Sequence, residues 1–155
     1  IPNCNKDNAA TIGLFHDIVR VGLNFFNTEY MPAEFNPDEG YLVYETQRFG
    51  CTHVEVGEIF ANHWQLPEHI QQGIKWHHHP GGADASAVPE TIRAEVFAVY
   101  IADLLAKHLD FHGGNTSKTL PNESYSYLLP NMTLYDLMHE NAVSKELWRI
   151  NCIDF

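Results

Sequence analysis

The chain has few basic residues, with 9 Lys and Arg against 20 Asp and Glu, and its formal net charge is −11. A surface this acidic repels nucleic-acid phosphates, which disfavours binding to duplex DNA or RNA. Cysteine is also scarce, since Cys4, Cys51 and Cys152 are the only three and form no C-x-x-C pair. Their odd number indicates reduced thiols in a cytoplasmic protein rather than a disulfide framework.

Long apolar runs are missing as well. No stretch of about 18 apolar residues occurs, so we expect no membrane-spanning segment. Strand-like alternation of useful length and internal repeats are also lacking. We therefore predict an all-α fold with residues 1–155 in one domain. The chain does not begin with Met, as would be expected of a piece of a longer protein.

The sequence does have apolar residues that recur at three- and four-residue steps, which predicts a series of helices. These cover residues 8–26, 38–49, 52–64, 67–78, 88–109, 133–140 and 141–150. Residues 27–37, 80–86 and 115–132 are rich in Pro, Gly, Ala, Ser or Asn and predict loops. Gly50 is expected to end the second helix, and Thr52 with Glu55 predicts a capping box at the start of the third.

Three adjacent histidines, His77 to His79, close one of these apolar-periodic runs and are followed by Pro80. A histidine-rich tract suggests metal binding. Histidine near a helix C-terminus is, however, favoured by the helix dipole without any metal. Both interpretations of the triplet stay open on these residues alone.

Polar residues interrupt the apolar faces of three other predicted helices. His16 and Asp17 lie in the middle of the first, His53 faces inward on the third, and Asp103 breaks an apolar stripe of the fifth. Burying such groups without a partner costs several kcal/mol. A metal ion is one partner that suits imidazole and carboxylate together. The alternatives are a hydrogen-bonded His–Asp pair, a surface position for His53 and a capping role for Asp103.

These residues and the segments around them, taken in their order along the chain, resemble the HDOD domain. This is the HD-related output domain of bacterial signalling proteins, within the superfamily of HD metal-dependent phosphohydrolases. The matching segments are GLFHDIVR at residues 13–20, FGCTHVEVG at 49–57, WQLP at 64–67, HHHP at 77–80, and Asp103. The resemblance covers about residues 8–112, with C-terminal helices in 115–155. It implies an HD-domain-like helical bundle.

The resemblance also implies a metal site. Carried over position by position from the related HD-GYP phosphodiesterases, the ligands would be His16, Asp17, His53, His77, His78 and Asp103. We expect divalent ions such as iron or manganese, as many as two. Asp17 would bridge the ions and Arg20 would contact phosphate, which makes these two the candidate catalytic residues. The alternative for Arg20 is an ordinary surface salt bridge.

Two departures from the HD-GYP pattern affect the function. No Gly-Tyr-Pro follows His78, which disfavours a cyclic di-GMP phosphodiesterase of that type. In addition, no His or Glu precedes His16, where HD domains often supply a further ligand.

Two main classes of function remain, and the sequence leaves open whether the protein is an enzyme. The first is a bacterial signal-transduction domain with a retained divalent-metal site, whose partners would be other signalling domains or a phosphorylated small molecule. The second is a metal-dependent phosphohydrolase that acts on a phosphoester, since no Ser or Cys lies beside a His as covalent catalysis would require. A di-iron oxygenase of HD type is a third, weaker alternative.

Overall fold

A computed structural model describes residues 1–26, 40–108 and 123–129 of the chain. Within these ranges six α-helices are found and no strand. The helices are α1 (Lys6–Phe15), α2 (Ile18–Phe26), α3 (Tyr41–Phe49), α4 (His53–His63), α5 (Glu68–Trp76) and α6 (Glu90–His108). The predicted all-α fold is confirmed. None of the described helices is long and apolar enough to cross a membrane.

The predicted helix 8–26 is wrong as a single element, because the chain breaks it at His16 and Asp17. The amide of His16 still donates to the Ile12 carbonyl at 2.8 Å as α1 ends. The Asp17 carbonyl then accepts from the amides of Arg20 and Val21, at 2.9 and 3.2 Å, as α2 begins. Asp favours helix starts over helix interiors, and apolar spacing alone does not reveal such a break.

The predicted boundary between α3 and α4 is confirmed. Gly50 has φ +74°, a left-handed conformation that glycine adopts without steric cost, and it ends α3. The Thr52 side chain accepts from the Glu55 amide, and the Glu55 carboxylate accepts from the Thr52 amide at 2.7 Å. These caps fix where α4 begins, and therefore where its first residue, His53, is placed.

The histidine triplet follows the end of α5 instead of continuing the helix to residue 78. Trp76 is the last helical residue, and a short 3-10 helix covers His79–Gly81. Two more 3-10 helices cover Ala85–Ala87 and Glu123–Leu128. The last lies in a predicted loop and buries Tyr125 and Leu128, so the loop prediction is wrong there. The predicted helices 133–140 and 141–150 lie outside the described residues.

The described chain has two apolar cores. The larger surrounds α6, where Val96 and Phe97 pack with Ile12 of α1 and with Tyr125. The smaller contains Ala61 of α4 and Ile70 and Ile74 of α5, with Phe15 and Leu66 packed against it.

Helix α1 packs on both α5 and α6, and its approach to α5 requires Gly73. A Cβ atom at Gly73 would lie about 2.5 Å from Ile12 Cγ2, closer than two carbon atoms can approach. Because α2 also packs on α4, the corner between α1 and α2 faces the start of α4 and the end of α5.

Candidate metal centre

Four of the predicted ligands meet where these helix ends come together. Asp17 lies in the corner between α1 and α2, His53 is the first residue of α4, and His77 and His78 follow α5. One ligand atom from each of the four lies within 4.8 Å of the others. His53 and His77 are buried, whereas Asp17 and His78 are partly exposed. Solvent therefore reaches the cluster from the side of Asp17 and His78.

The distances within this cluster match those expected around one metal ion. His53 Nε2 lies 3.1 Å from His78 Nε2, 3.3 Å from His77 Nε2 and 3.2 Å from Asp17 Oδ1. His77 Nε2 is 3.6 Å from the same carboxylate oxygen. Ligand atoms held at about 2.0–2.2 Å from one ion stand about 3.0–3.6 Å apart. These four distances therefore fit donors around one ion, and all four ligand atoms lie within 4.8 Å of one another.

The outer nitrogens of the two buried histidines already face acceptors. His53 Nδ1 lies 2.7 Å from Glu45 Oε2, and His77 Nδ1 lies 2.6 Å from the Ile74 carbonyl oxygen. An acceptor at Nδ1 requires the proton there, so the lone pair of each neutral ring is on Nε2. These lone pairs point at one another and at Asp17 Oδ1. Such an arrangement is repulsive unless a proton or a cation lies among the donors.

Asp17 Oδ1 itself lacks a satisfactory partner. The atom is buried and accepts no hydrogen bond of acceptable geometry from the described residues, although His53 Nε2 is nearby. A buried carboxylate oxygen that accepts no hydrogen bond lowers the stability of the folded state. A cation among the four donors would remove this cost, so the residues present fit a divalent metal ion.

Glu45 is a residue of the site that the sequence analysis did not identify. It lies on α3 with 1% of its surface exposed. Its Oε2 accepts from the backbone amide of His53 at 2.8 Å as well as from Nδ1–H of the ring. A carboxylate behind a ligating imidazole orients the ring and raises its basicity. The one available signal was the four-residue step from Tyr41, which places Glu45 on a partly buried face.

His16 lies beside the group of four and Asp103 shares a cavity with His16, but neither is a member of the group. His16 Nε2 is 3.7 Å from Asp17 Oδ2, and its ring packs edge-on against His77 with centroids 5.1 Å apart. Asp103 shares with His16 a cavity of about 410 Å³ between α1 and α6, lined mostly by Ala and Gly. Four of the six predicted ligands thus converge, while metal ligation by His16 or Asp103 stays a prediction.

Arg20 lies against the site instead of on an open surface. Its Nη1 donates to Asp17 Oδ2 at 2.7 Å, and its Cζ lies 4.3 Å from the centroid of the Tyr41 ring. The side chain is 18% exposed. Arg20 therefore forms an ion pair with the carboxylate of the cluster.

The charges of the cluster shift the pKa values of its members. Burial alone would raise the pKa of Asp17, but close contacts with His53 and His77 and the charge of Arg20 hold it far below its usual range. Burial would lower the pKa of His53, but the carboxylates of Asp17 and Glu45 raise it above its usual value. Burial lowers the pKa of His77. The two carboxylates therefore favour a positive charge at His53, which is a proton when no metal is bound.

The remaining described histidines do not join the group. His79 packs edge-on against Trp76 with centroids 4.9 Å apart, His63 is exposed, and His69 is half-buried. The side chains of His108 and His112 lie outside the described residues.

Comparison with known proteins agrees with the motifs in the sequence. The family model of the HDOD domain matches residues 1–80, which include Asp17, His53, His77 and His78 but not Asp103. No curated protein and no solved structure matched the chain. Because the family model covers more than half of the 155 residues, the chain belongs to the HDOD domain family.

Proposed function

We propose that this protein is a signalling domain of the HDOD type that binds a divalent metal ion through Asp17, His53, His77 and His78. The observation that carries the proposal is the convergence of imidazole lone pairs on a buried carboxylate oxygen, with the outer ring nitrogens already bonded. A set of three imidazoles and one carboxylate suits iron, manganese or a similar ion.

The position of the four ligands supports a role in signalling. They come from three separate places in the chain: the corner before α2, the start of α4 and the end of α5. Binding at one point would tie these segments together and stabilise the folded state according to ion concentration and affinity. Metal occupancy would in this way control the stability of this end of the helical bundle, and a partner domain that binds there would respond to that change.

Metal content is the direct test. Protein purified without chelator should retain a divalent ion measurable by inductively coupled plasma mass spectrometry, and the stripped protein should bind Mn²⁺ in calorimetric titrations. Asp17→Ala and His77→Ala should lose this binding, because each removes a donor from the shell. His63→Ala serves as the matched control, since it removes an exposed histidine outside the cluster. Folded wild-type protein that neither retains nor binds a metal would contradict the proposal.

A metal-dependent phosphohydrolase is the second candidate, and the position of Arg20 favours it. The guanidinium lies beside the partly exposed side of the cluster, and its planar fork can bind a phosphate oxygen while Nη1 stays on Asp17. A divalent ion bound there would supply Lewis-acid activation of the phosphoester and of water. Asp17 would then hold the ion, and Arg20 would orient the substrate.

A panel of phosphomonoesters and phosphodiesters with added Mn²⁺ or Fe²⁺ separates the two candidates. Slow hydrolysis that Asp17→Ala abolishes would support the enzyme. Hydrolysis that persists in Asp17→Ala would come from a contaminant. Full metal occupancy without turnover across the panel would favour the signalling domain.

A further inference from the structure

The number of ions that the site holds follows from how the two oxygens of Asp17 are used. Resting on the proposed function, we infer that the site is built for one ion and that Arg20 supplies the positive charge that a second ion would otherwise supply. Oδ1 faces the histidine cluster, whereas Oδ2 accepts from Arg20 Nη1 at 2.7 Å. A carboxylate that bridges two ions gives one oxygen to each, and here the second oxygen has a charge-assisted hydrogen bond.

Arg20 is held in this position by two further features. It lies three residues after Asp17, so both side chains project from the same turn of chain at the start of α2. Its guanidinium also lies over the Tyr41 ring of α3. An ion that approached Oδ2 would have to displace the guanidinium from both contacts or remain next to a charge that does not titrate in proteins. Arg20 therefore disfavours a cation at this oxygen more strongly than a flexible lysine would.

Within residues 1–26, 40–108 and 123–129, few donors are available for a second ion. In a neutral His16 ring the lone pair would be on Nε2, at 3.7 Å from Oδ2, because Nδ1 lies 2.7 Å from the Gly13 carbonyl oxygen. Asp103 reaches the cavity beside His16. Among the described residues, however, the cluster around His53 is the one group of three or more close ligands. A second ion would have at most a partial shell from the described residues, in competition with Arg20.

The test counts Mn²⁺ per folded chain by equilibrium dialysis and records the electron paramagnetic resonance spectrum at saturation. Wild-type protein should bind one Mn²⁺ and give the spectrum of an isolated ion. Arg20→Met keeps an unbranched side chain but removes the charge, and it should admit a second, more weakly bound Mn²⁺ with an exchange-coupled spectrum. Arg20→Lys keeps the charge and should stay at one ion.

Two further variants locate the effect. Arg93→Met removes an arginine that donates to the Val88 carbonyl, so it should also stay at one ion. His16→Ala in the Arg20→Met background should return the count from two to one, because it removes the imidazole nearest to Oδ2. Arg20→Gln replaces Arg20→Met if circular dichroism shows that the latter does not fold.

Each outcome has a distinct meaning. Two ions in the wild type would overturn the inference and leave the proposed function standing. No ion in folded wild-type protein would contradict the proposed function itself. One ion in the folded neutral variant, Arg20→Met or the Arg20→Gln that replaces it, would overturn the role assigned to Arg20.

Discussion

The apolar core around α6 and the cluster of Asp17, His53, His77 and His78 both contain buried side chains, but they contribute differently to the stability of the fold. In the core, Phe97 stacks on Tyr125 with ring centroids 5.3 Å apart and planes within 9° of parallel. Such contacts are favourable in the folded chain without any ligand. In the cluster, His53 and His77 are 2% and 3% exposed, yet their lone pairs face each other and a carboxylate oxygen. The core therefore stabilises the fold, and the cluster reduces stability until a positive charge enters it.

This difference is the pattern expected of a functional site. Polar side chains that contradict the apolar pattern of their helices cost stability, and the rest of the structure compensates for them. Glu45 adds to the cost, because its buried carboxylate is placed against His53 in addition to the partly exposed carboxylate of Asp17. Four predictions test the contrast between the two regions.

The largest expected effect is on the core. Phe97→Ala should lower the free energy of unfolding by about 3–5 kcal/mol, because it removes a ring from a fully packed position. Urea unfolding measures the loss. The fraction that remains folded should bind metal with unchanged stoichiometry, and a loss of metal from that fraction would show that the two regions are not independent.

The second prediction concerns metal-dependent stability. At a metal concentration of about 100 times the dissociation constant, the wild-type protein should gain about 2.7 kcal/mol. His77→Leu should lose this gain, since it removes one ligand. Without metal, its free energy of unfolding should equal or exceed that of the wild type, because an apolar group replaces a polar one that faces other acceptors. Metal-free His77→Leu that is several kcal/mol less stable would show that the cluster stabilises the fold on its own.

The third prediction isolates Glu45. Glu45→Gln keeps a hydrogen-bond acceptor for His53 but removes the negative charge, and it should weaken metal binding about 10–100-fold. Calorimetric titration measures the affinity, and circular dichroism checks the fold. Glu58→Gln is the matched control, because Glu58 is partly exposed and pairs with Lys75. Equal affinities of the two variants would leave Glu45 a purely structural role.

The smallest effect is the pH dependence of metal binding. A metal ion must displace the proton of His53, so affinity should fall about tenfold per pH unit below the pKa of this ring. Because carboxylates raise that pKa above the ordinary value of 6.5, the fall should begin above pH 6.5. In the metal-free protein, the stability contributed by His53 is present below pH 6.5 and is lost as the pH rises through the raised pKa.

The variant Glu45→Gln also tests this pH dependence. Removing one of the two carboxylates that raise the pKa of His53 should move the onset of the fall to lower pH. Titrations with Mn²⁺ between pH 5.5 and 8.5 would show the shift. Affinity that is constant across this range in the wild type would contradict the assignment of His53 as a ligand.

Local rules accounted for much of the fold. Helical periodicity located α3 to α6, and the chemistry of Gly50 and Thr52 located the boundary between α3 and α4. The break at Asp17 was missed because the apolar spacing runs through it without change. The 3-10 helix at Glu123–Leu128 was missed because this short segment, which contains Ser and Tyr, does not repeat apolar residues at three- and four-residue steps. Its burial depends on contact with α6.

The sequence by itself determined the residue types able to bind a metal. His16, Asp17, His53 and Asp103 interrupt apolar helix faces, His77 and His78 belong to a histidine triplet, and the family resemblance implied all six as ligands. Only the tertiary structure decided that four of them converge, that Glu45 lies behind His53 and that Arg20 bonds Asp17 Oδ2. The physical reason is that periodicity gives the face of a helix on which a side chain lies. Distances between side chains on different helices depend on how those helices pack.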